Sequence, residues 1–340
     1  MKKIILSVVL TFSLSNLAAQ ADFRVMFYNV ENFFDTEDNP LKDDDEFLPE
    51  GSRRWTYGRY QNKRNNLAKA ISSVGEWAYP ALVGMCEVEN EKVVADLAKN
   101  SPLKKADYRY VVTNSPDTRG INVALLYQRD KFKYLKHTAH RVVFPNKKKK
   151  FTRDILHVTG IVASRDTVDV FVCHFPSRRG GETESEPDRI YVASLLRSKC
   201  DSLWKIRRTA NIIIMGDFND EPSNVSISKT LKALPAVADA QPKSLYNLFS
   251  RFEKRQNTGS YKFQGQWNML DQIIVSGNLI KGNARFRALP YSATIFTAAF
   301  LRKEDKTNGG FRPLKTYNGY RHEGGFSDHF PVYVDFEEIK

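Results

Sequence analysis

Cysteine is scarce in this chain: Cys86, Cys173 and Cys200 are the only three among 340 residues. So few thiols exclude a disulfide framework, and none has the spacing of a zinc knuckle. Cys86 and Cys173 sit inside apolar, strand-like runs and read as small core residues. Long hydrophobic runs are also missing beyond the N-terminus, so no later segment is oily enough to span a bilayer. No repeat of solenoid period and no Gly/Ser-rich or Pro-rich linker divides the sequence. These absences favour one domain over residues 22–340, with no stable membrane insertion and a monomer as the simplest state.

The opening "MKKIILSVVLTFSLSNLAAQA" has two lysines, a short apolar run and small residues at Ala19 and Ala21. That is the layout of a secretory signal peptide over residues 1–21, so the mature protein is expected in the periplasm or outside the cell. Ser13, Ser15 and Asn16 break the run, which argues against a permanent anchor. Cleavage removes Lys2 and Lys3 and no acid, taking the net charge from +13 to +11. A strongly basic soluble protein favours polyanionic partners, nucleic acid first. Lysine that merely solubilises is the plainer account of charge taken alone.

Hydrophobic content of 41%, with 15 Tyr and 22 Phe, belongs to a globular protein. Val, Ile, Tyr and Phe concentrate in nine strand-like runs: 24–30, 81–86, 108–113, 122–127, 157–163, 167–175, 211–215, 270–275 and 330–336. Helical spacing appears over Tyr60–Val74, Glu91–Lys99, Asp188–Ile206 and Ser223–Ala233, with Asp188 as cap of the longest. Helices interspersed with strands along the whole chain predict sheets covered by helices. Residues 35–55, 176–188 and 308–325 read as surface loops, and the lysine run Lys147–Lys150 as a solvated hairpin tip.

The stretch "NIIIMGDFNDEP" passes from oil to acid within six residues. A strand apolar on both faces delivers Asp217 and Asn219 at its end, on one face if the strand continues. The same pattern brings out Asn29, Glu87 and His174, places Asp271 at a strand start, and sets Asp328 and His329 before the last strand. Each alone reads as easily as a turn, a cap or a core histidine. Together they supply hard oxygen ligands for Mg²⁺, two histidines, and an Asp–Asn pair to orient a water.

In those motifs the chain resembles the endonuclease/exonuclease/phosphatase superfamily, which includes pancreatic-type deoxyribonucleases, exonuclease III-like repair nucleases, neutral sphingomyelinases and inositol polyphosphate phosphatases. "YNVEN", "CEVEN", "CHFPSRRGG", "GDFND", "LDQIIVS" and "SDHFPV" follow the family's order from residue 28 to 332. The resemblance implies an α+β fold, a four-layer α/β/β/α sandwich with two mixed sheets face to face and the active site at one end. It implies Mg²⁺ on Glu87 and Asp328 with Asn29 beside them, Mn²⁺ and Ca²⁺ being the alternatives. Asp217 then handles the nucleophilic water, Asn219 orients it, His329 meets the scissile phosphate and Asp271 orients His329. His174 falls on the second histidine of the deoxyribonucleases, and Arg119, Arg178 and Arg179 on phosphate-binding positions. Cys86 departs from the family's usual Gln, which leaves the support of Glu87 open.

The expected activity is that of a metal-dependent phosphodiesterase, a nuclease before a phosphatase or phosphodiesterase acting on a small phosphoester or a lipid head group. "NMLDQII" lacks the Cys-Asp-Arg run of the inositol phosphatases, and no amphipathic helix or exposed aromatic hairpin speaks for a membrane substrate. A binding module that had lost its chemistry would lack an essential group, and none of these positions is missing.

Overall fold

The computed structural model describes residues 23–75, 78–145, 147, 150–236, 239–281 and 285–339, so the expected leader lies outside the described residues. β1 (Phe23–Phe33) is followed by α1 (Tyr57–Gly75), β2 (Leu82–Val88), α2 (Glu91–Lys99), β3 (Tyr108–Val112) and β4 (Asn122–Gln128). Next come β5 (Phe132–His140), β6 (Ile155–Val162), β7 (Thr167–His174), α3 (Glu182–Ile206) and β8 (Asn211–Asp217). Short strands β9 (Ala233–Pro235) and β10 (Leu245–Asn247) precede the hairpin of β11 (Tyr261–Phe263) and β12 (Gln266–Asn268), and then β13 (Asp271–Ser276). β14 (Phe286–Ala288) and β15 (Thr294–Ile295) lead to two small hairpins. These are β16 (Arg302–Glu304) with β17 (Phe311–Pro313), and β18 (Tyr317–Asn318) with β19 (Arg321–His322). β20 (Val332–Glu338) ends the fold.

Two mixed sheets result, ordered β14-β20-β1-β2-β4-β3 and β5-β6-β7-β8-β13-β10-β9. Period-two alternation gives each central strand two different apolar neighbours. Val25 and Phe27 of β1 face Ile213 and Met215 of β8, and Ile273 and Val275 of β13, across the space between the sheets. Met26 and Tyr28 point outward to Leu67, Ile71 and Val74 of α1 and Val94 and Leu97 of α2. Ile212 and Ile214 point the other way, to Val192, Leu196 and Leu203 of α3. The run "NIII" is therefore apolar on both faces because each face meets a separate layer, at about 1.5–3 kcal/mol for each fully buried side chain. The sheets approach closely enough that a Cβ on Gly84 would collide with Met215. The α/β/β/α sandwich expected from sequence is the fold observed.

Some elements depart from expectation. α3 begins at Glu182, so residues 182–188 are helix rather than loop, and Pro187 lies inside it. Pro187 has no N–H to donate, and at the first turn Ser185 Oγ and Arg189 add side-chain bonds to the carbonyls of Gly181 at 2.6 Å and Glu182 at 3.0 Å. Asp188 caps nothing; it pairs with Lys147 at 2.7 Å and with Lys150. Lys147 and Lys150 thereby tie the β5–β6 connection to α3 rather than standing at a remote tip, while Lys148 and Lys149 of the run lie outside the described residues. Over Ser223–Ala233 only a π-helical stretch, Ser226–Leu231, forms, ended by Lys232 at φ 58° before β9. β5 had no apolar signal because it is the outer edge of its sheet and mostly exposed.

Candidate active site

β1 and β2 are parallel, as are β7 and β8, and the C-terminal ends of all four carry site residues. The cross-strand register brings His174 of β7 opposite Asp217 of β8, and Asp217 opposite Asp271 of β13. Both sheets break regularity here. β1 is irregular between Asn29 and Phe33, and β2 bulges between Cys86 and Val88. Glu31 and Asn32 at φ 49° and Glu87 at φ 62° hold left-handed conformations that non-glycine residues adopt at a cost of about 1–3 kcal/mol each. Such strain at a strand end re-aims a side chain, and here it turns Glu87 into the cleft.

Asp217 is the hub. It is buried, and its Oδ2 accepts a bond from Asn29 Nδ2 at 3.0 Å. The same oxygen lies 3.7 Å from His174 Nε2 and 3.8 Å from His329 Nε2. Among the described residues the tight clusters of ligating atoms are Cys86, His174 and Asp217, and Asp217, Asp271 and His329. Asn219 does not continue the strand as the alternation argument assumed. It sits at φ 50° in a turn closed by its own N–H on Asp217 Oδ1 at 2.9 Å, with Nδ2 on the Phe175 carbonyl at 3.0 Å. Asp220 points away, buried, to Arg189 at 2.7 Å and Ser226 Oγ at 2.6 Å. Phe218 is fully buried against Phe175.

His329 Nδ1 lies 2.6 Å from Asp271 Oδ2. Burial alone would lower the imidazole pKa, but the charge and hydrogen bond of Asp271, then Asp217 and Asp328, carry it well above its ordinary value. His174 moves the opposite way. Burial lowers its pKa, and the charges of Arg153, Arg119 and His329 lower it further. Asp217 is raised by burial against the opposing charge of His329. Burial and neighbouring charge thus push the two imidazoles in opposite directions within one site, a division that can separate acid from base roles by environment. Tyr261 stacks on His329 with ring centroids 4.6 Å apart and fixes its plane.

The donor set suits a hard divalent cation. Glu87 is held by the Asn32 N–H at 2.9 Å and more loosely by Asn29 at 3.5 Å, so a backbone amide supports it where Cys86 cannot. Asp328 keeps 35% of its side chain exposed, and burial followed by repulsion from Glu87 raises its pKa against the charge of His329. Two carboxylates whose negative charges disfavour one another fit an oxygen-preferring ion such as Mg²⁺. Asn29 directs its NH₂ at the carboxylates while its oxygen accepts from the Glu31 N–H at 2.9 Å, so in this rotamer it orients Asp217 and Glu87. To ligate, its amide would have to turn over.

Arg119 is partly exposed, 3.7 Å from Asp117, and its charge reaches His174. Arg178 has a second duty: it bonds the Asn219 carbonyl at 2.7 Å and Asn224 at 3.2 Å, bracing the "GDFND" turn. Arg179 is exposed. Sequence reasoning missed Arg153, which is buried, pairs with Asp117 at 3.2 Å, and bonds the carbonyls of His174 and Phe175. It also missed buried Lys63, which joins Glu31 (3.7 Å), Thr316 Oγ1 (2.6 Å) and the Phe326 carbonyl (2.6 Å) behind the cleft. No local pattern marks either residue, because their partners lie far away in the chain.

A family model described as endonuclease/exonuclease/phosphatase family matches residues 24–338. The chain belongs to that family. That family comprises phosphoester hydrolases, and this chain is one of them. A family protein from Bacteroides thetaiotaomicron is 16% identical, with TM-score 0.57, over 92% of this chain and 94% of that one. The mannosyl-6-phosphatase of the same organism is 17% identical, with TM-score 0.57, over 92% and 99%. D. rerio TDP2 complexed with a single-strand DNA product is 14% identical, with TM-score 0.54, over 93% and 98%. No curated protein matches the chain. One of these neighbours is complexed with a DNA product and another is a phosphosugar phosphatase, so likeness in fold leaves the substrate of this endonuclease/exonuclease/phosphatase protein undecided.

Proposed function

We propose that this protein is an exported, metal-dependent phosphodiesterase that cleaves nucleic acid by attack of water on a phosphodiester. One observation carries the choice of a diester. Cavities of about 220 and 310 Å³ meet at Asp328 and Lys315, which line both. Glu31, Arg53 and Tyr317 line the first, and Tyr261, Phe263 and Asn308 the second. A scissile phosphate at Asp328 would have room for a substituent on each side, which a monoester does not need. The basic composition suits a polyanionic chain, and aromatic walls suit its bases.

Glu87 and Asp328 would hold Mg²⁺, with Asn29 steadying Glu87, and the ion would neutralise charge developing on the phosphate. His329, kept protonated by Asp271, donates to a phosphoryl oxygen. Asp217 accepts the proton of the attacking water, whose direction is set by Asn219. His174, held neutral by burial and by the charges of Arg153 and Arg119, lies 3.7 Å from Asp217 and leaves that carboxylate as the proton acceptor. Arg119 and Arg179 meet flanking phosphates.

A phosphatase on a small phosphorylated metabolite is the second reading. It is favoured by the pairing of cations in the 310 Å³ cavity, where Lys262 lies 2.8 Å from Asp305 and Arg312 2.8 Å from Glu323. Paired charges among amides suit hydroxyl groups better than a phosphate track. The deciding experiment assays the mature protein on plasmid, single-stranded DNA, RNA, a nitrophenyl phosphodiester and sugar phosphates, with Mg²⁺ and with EDTA. Fastest turnover on a polynucleotide supports the proposal. Turnover confined to sugar phosphates contradicts it.

A further inference from the structure

A third cavity, of about 360 Å³, exceeds either of those beside Asp328 and shares no residue with the catalytic group. Arg251, Arg255, Trp267, Tyr291 and Phe311 line it, and no carboxylate does among the described residues. Its cations differ from those near Asp328. Arg251 is fixed by the carbonyls of Tyr291 (3.0 Å) and Ala293 (2.6 Å), and Arg255 lies over the Phe252 ring at 5.2 Å. Neither has a carboxylate within ion-pair distance among the described residues, whereas Lys262 and Arg312 both do. Two arginines without counter-charge beside large rings form a receptor for an anion attached to a flat ring.

The cavity is also wired to the active site. Trp267 stacks on Phe330, the residue after His329, with centroids 5.6 Å apart. Gly259 lines the cavity, and the next residue, Ser260, takes bonds from the Phe330 N–H at 2.7 Å and the Asp271 N–H at 3.0 Å. Trp267 lies on the same hairpin as Tyr261, which stacks on His329.

We infer that this cavity is a second nucleotide site, where Arg251 and Arg255 hold a phosphate and Trp267 or Tyr291 stacks the base of a nucleotide beyond the scissile bond. The inference rests on the nuclease reading for its link to catalysis, but binding can be measured apart from hydrolysis. The probe is a short, fluorophore-labelled single-stranded thymidine oligonucleotide, titrated into the mature protein in EDTA and followed by anisotropy.

Arg255→Ser is expected to raise Kd by about fivefold or more and to lower the slope of log K against log salt by about one. Arg255→Glu is expected to raise Kd further. Arg255 is exposed and outside the catalytic group, so kcat/KM on a nitrophenyl phosphodiester should be unchanged in both. Weakened binding in the variants supports the site even where the wild type does not cut the oligonucleotide, an outcome that would sink only the nuclease reading. Oligonucleotide affinity unchanged in both variants, or absent in the wild type, overturns the site.

Discussion

His329 Nδ1 and Asp271 Oδ2 are 2.6 Å apart, and the aspartate is fully buried at the start of β13. Such a partner holds the imidazole in one tautomer, with Nε2 toward Asp217, and stabilises its protonated form. The Asp271→Asn variant keeps the shape and removes the charge. Its kcat on a nitrophenyl phosphodiester should fall by about 10²–10⁴-fold, the range of acid–base function, with little change in KM. A fall in KM-dependent terms alone would show that Asp271 shapes binding rather than protonation.

The two acids of "GDFND" should separate cleanly. Asp217→Asn leaves the attacking water without a proton acceptor and should lose about 10²–10⁴-fold in kcat. Asp220→Asn instead leaves buried Arg189 without its counter-charge at 2.7 Å, a change that costs about 3–5 kcal/mol when a buried pair is broken. Its thermal midpoint should drop while the folded fraction turns over near the wild-type rate. Were Asp220→Asn the more damaging to kcat in fully folded protein, the assignment would have to be reversed.

Glu221 gives a pH dependence with a definite sign. Burial raises its pKa from 4.5 to about 7, although both carboxylate oxygens face the Met269 N–H at 3.1 Å. Between those values the native carboxyl keeps a proton that the unfolded chain has lost, so its contribution to stability falls as pH rises from 4.5 to about 7. Glu221→Gln removes that titration. The difference in melting temperature should therefore shift in favour of the variant between pH 5 and pH 8 (roughly the two sides of the window). A difference independent of pH would refute this account of Glu221.

What could be read in the sequence was what depends on short range. Val25 to Tyr28 and Ile212 to Met215 announce doubly buried strands because each alternate residue meets an apolar layer. Asn29, Glu87, His174, Asp217, Asp271, Asp328 and His329 stood out as polar groups at the ends of such strands, and the fold gathers all seven at one end of the sandwich. The failures are equally physical. Strand alternation could not place Asn219, because an Asx turn and positive φ take over after Asp217. β5 and the first turns of α3 are polar at the surface and carry no period. Arg153 and Lys63 are ordinary basic residues until distant carbonyls and carboxylates surround them.

Arg153 offers a test of that last class. It bonds the backbone carbonyls of His174 and Phe175 from 21 and 22 residues away and pairs with Asp117. Arg153→Met should destabilise the protein by about 3–5 kcal/mol through the unpaired Asp117. In the folded fraction kcat should fall more than KM rises, because the end of β7 bearing His174 loosens. A variant with wild-type melting temperature would contradict the burial of this pair.

The central claim is that a divalent ion on Glu87 and Asp328 works with Asp217 and His329 on a phosphodiester. The most direct measurement is cleavage of single-stranded DNA by the mature wild type and Glu87→Gln, each with Mg²⁺ and with EDTA. Cleavage by the wild type with Mg²⁺, none in EDTA, and a loss of about 10²-fold or more in Glu87→Gln are predicted. Cleavage that survives EDTA, or a Glu87→Gln protein as fast as the wild type, would contradict the claim.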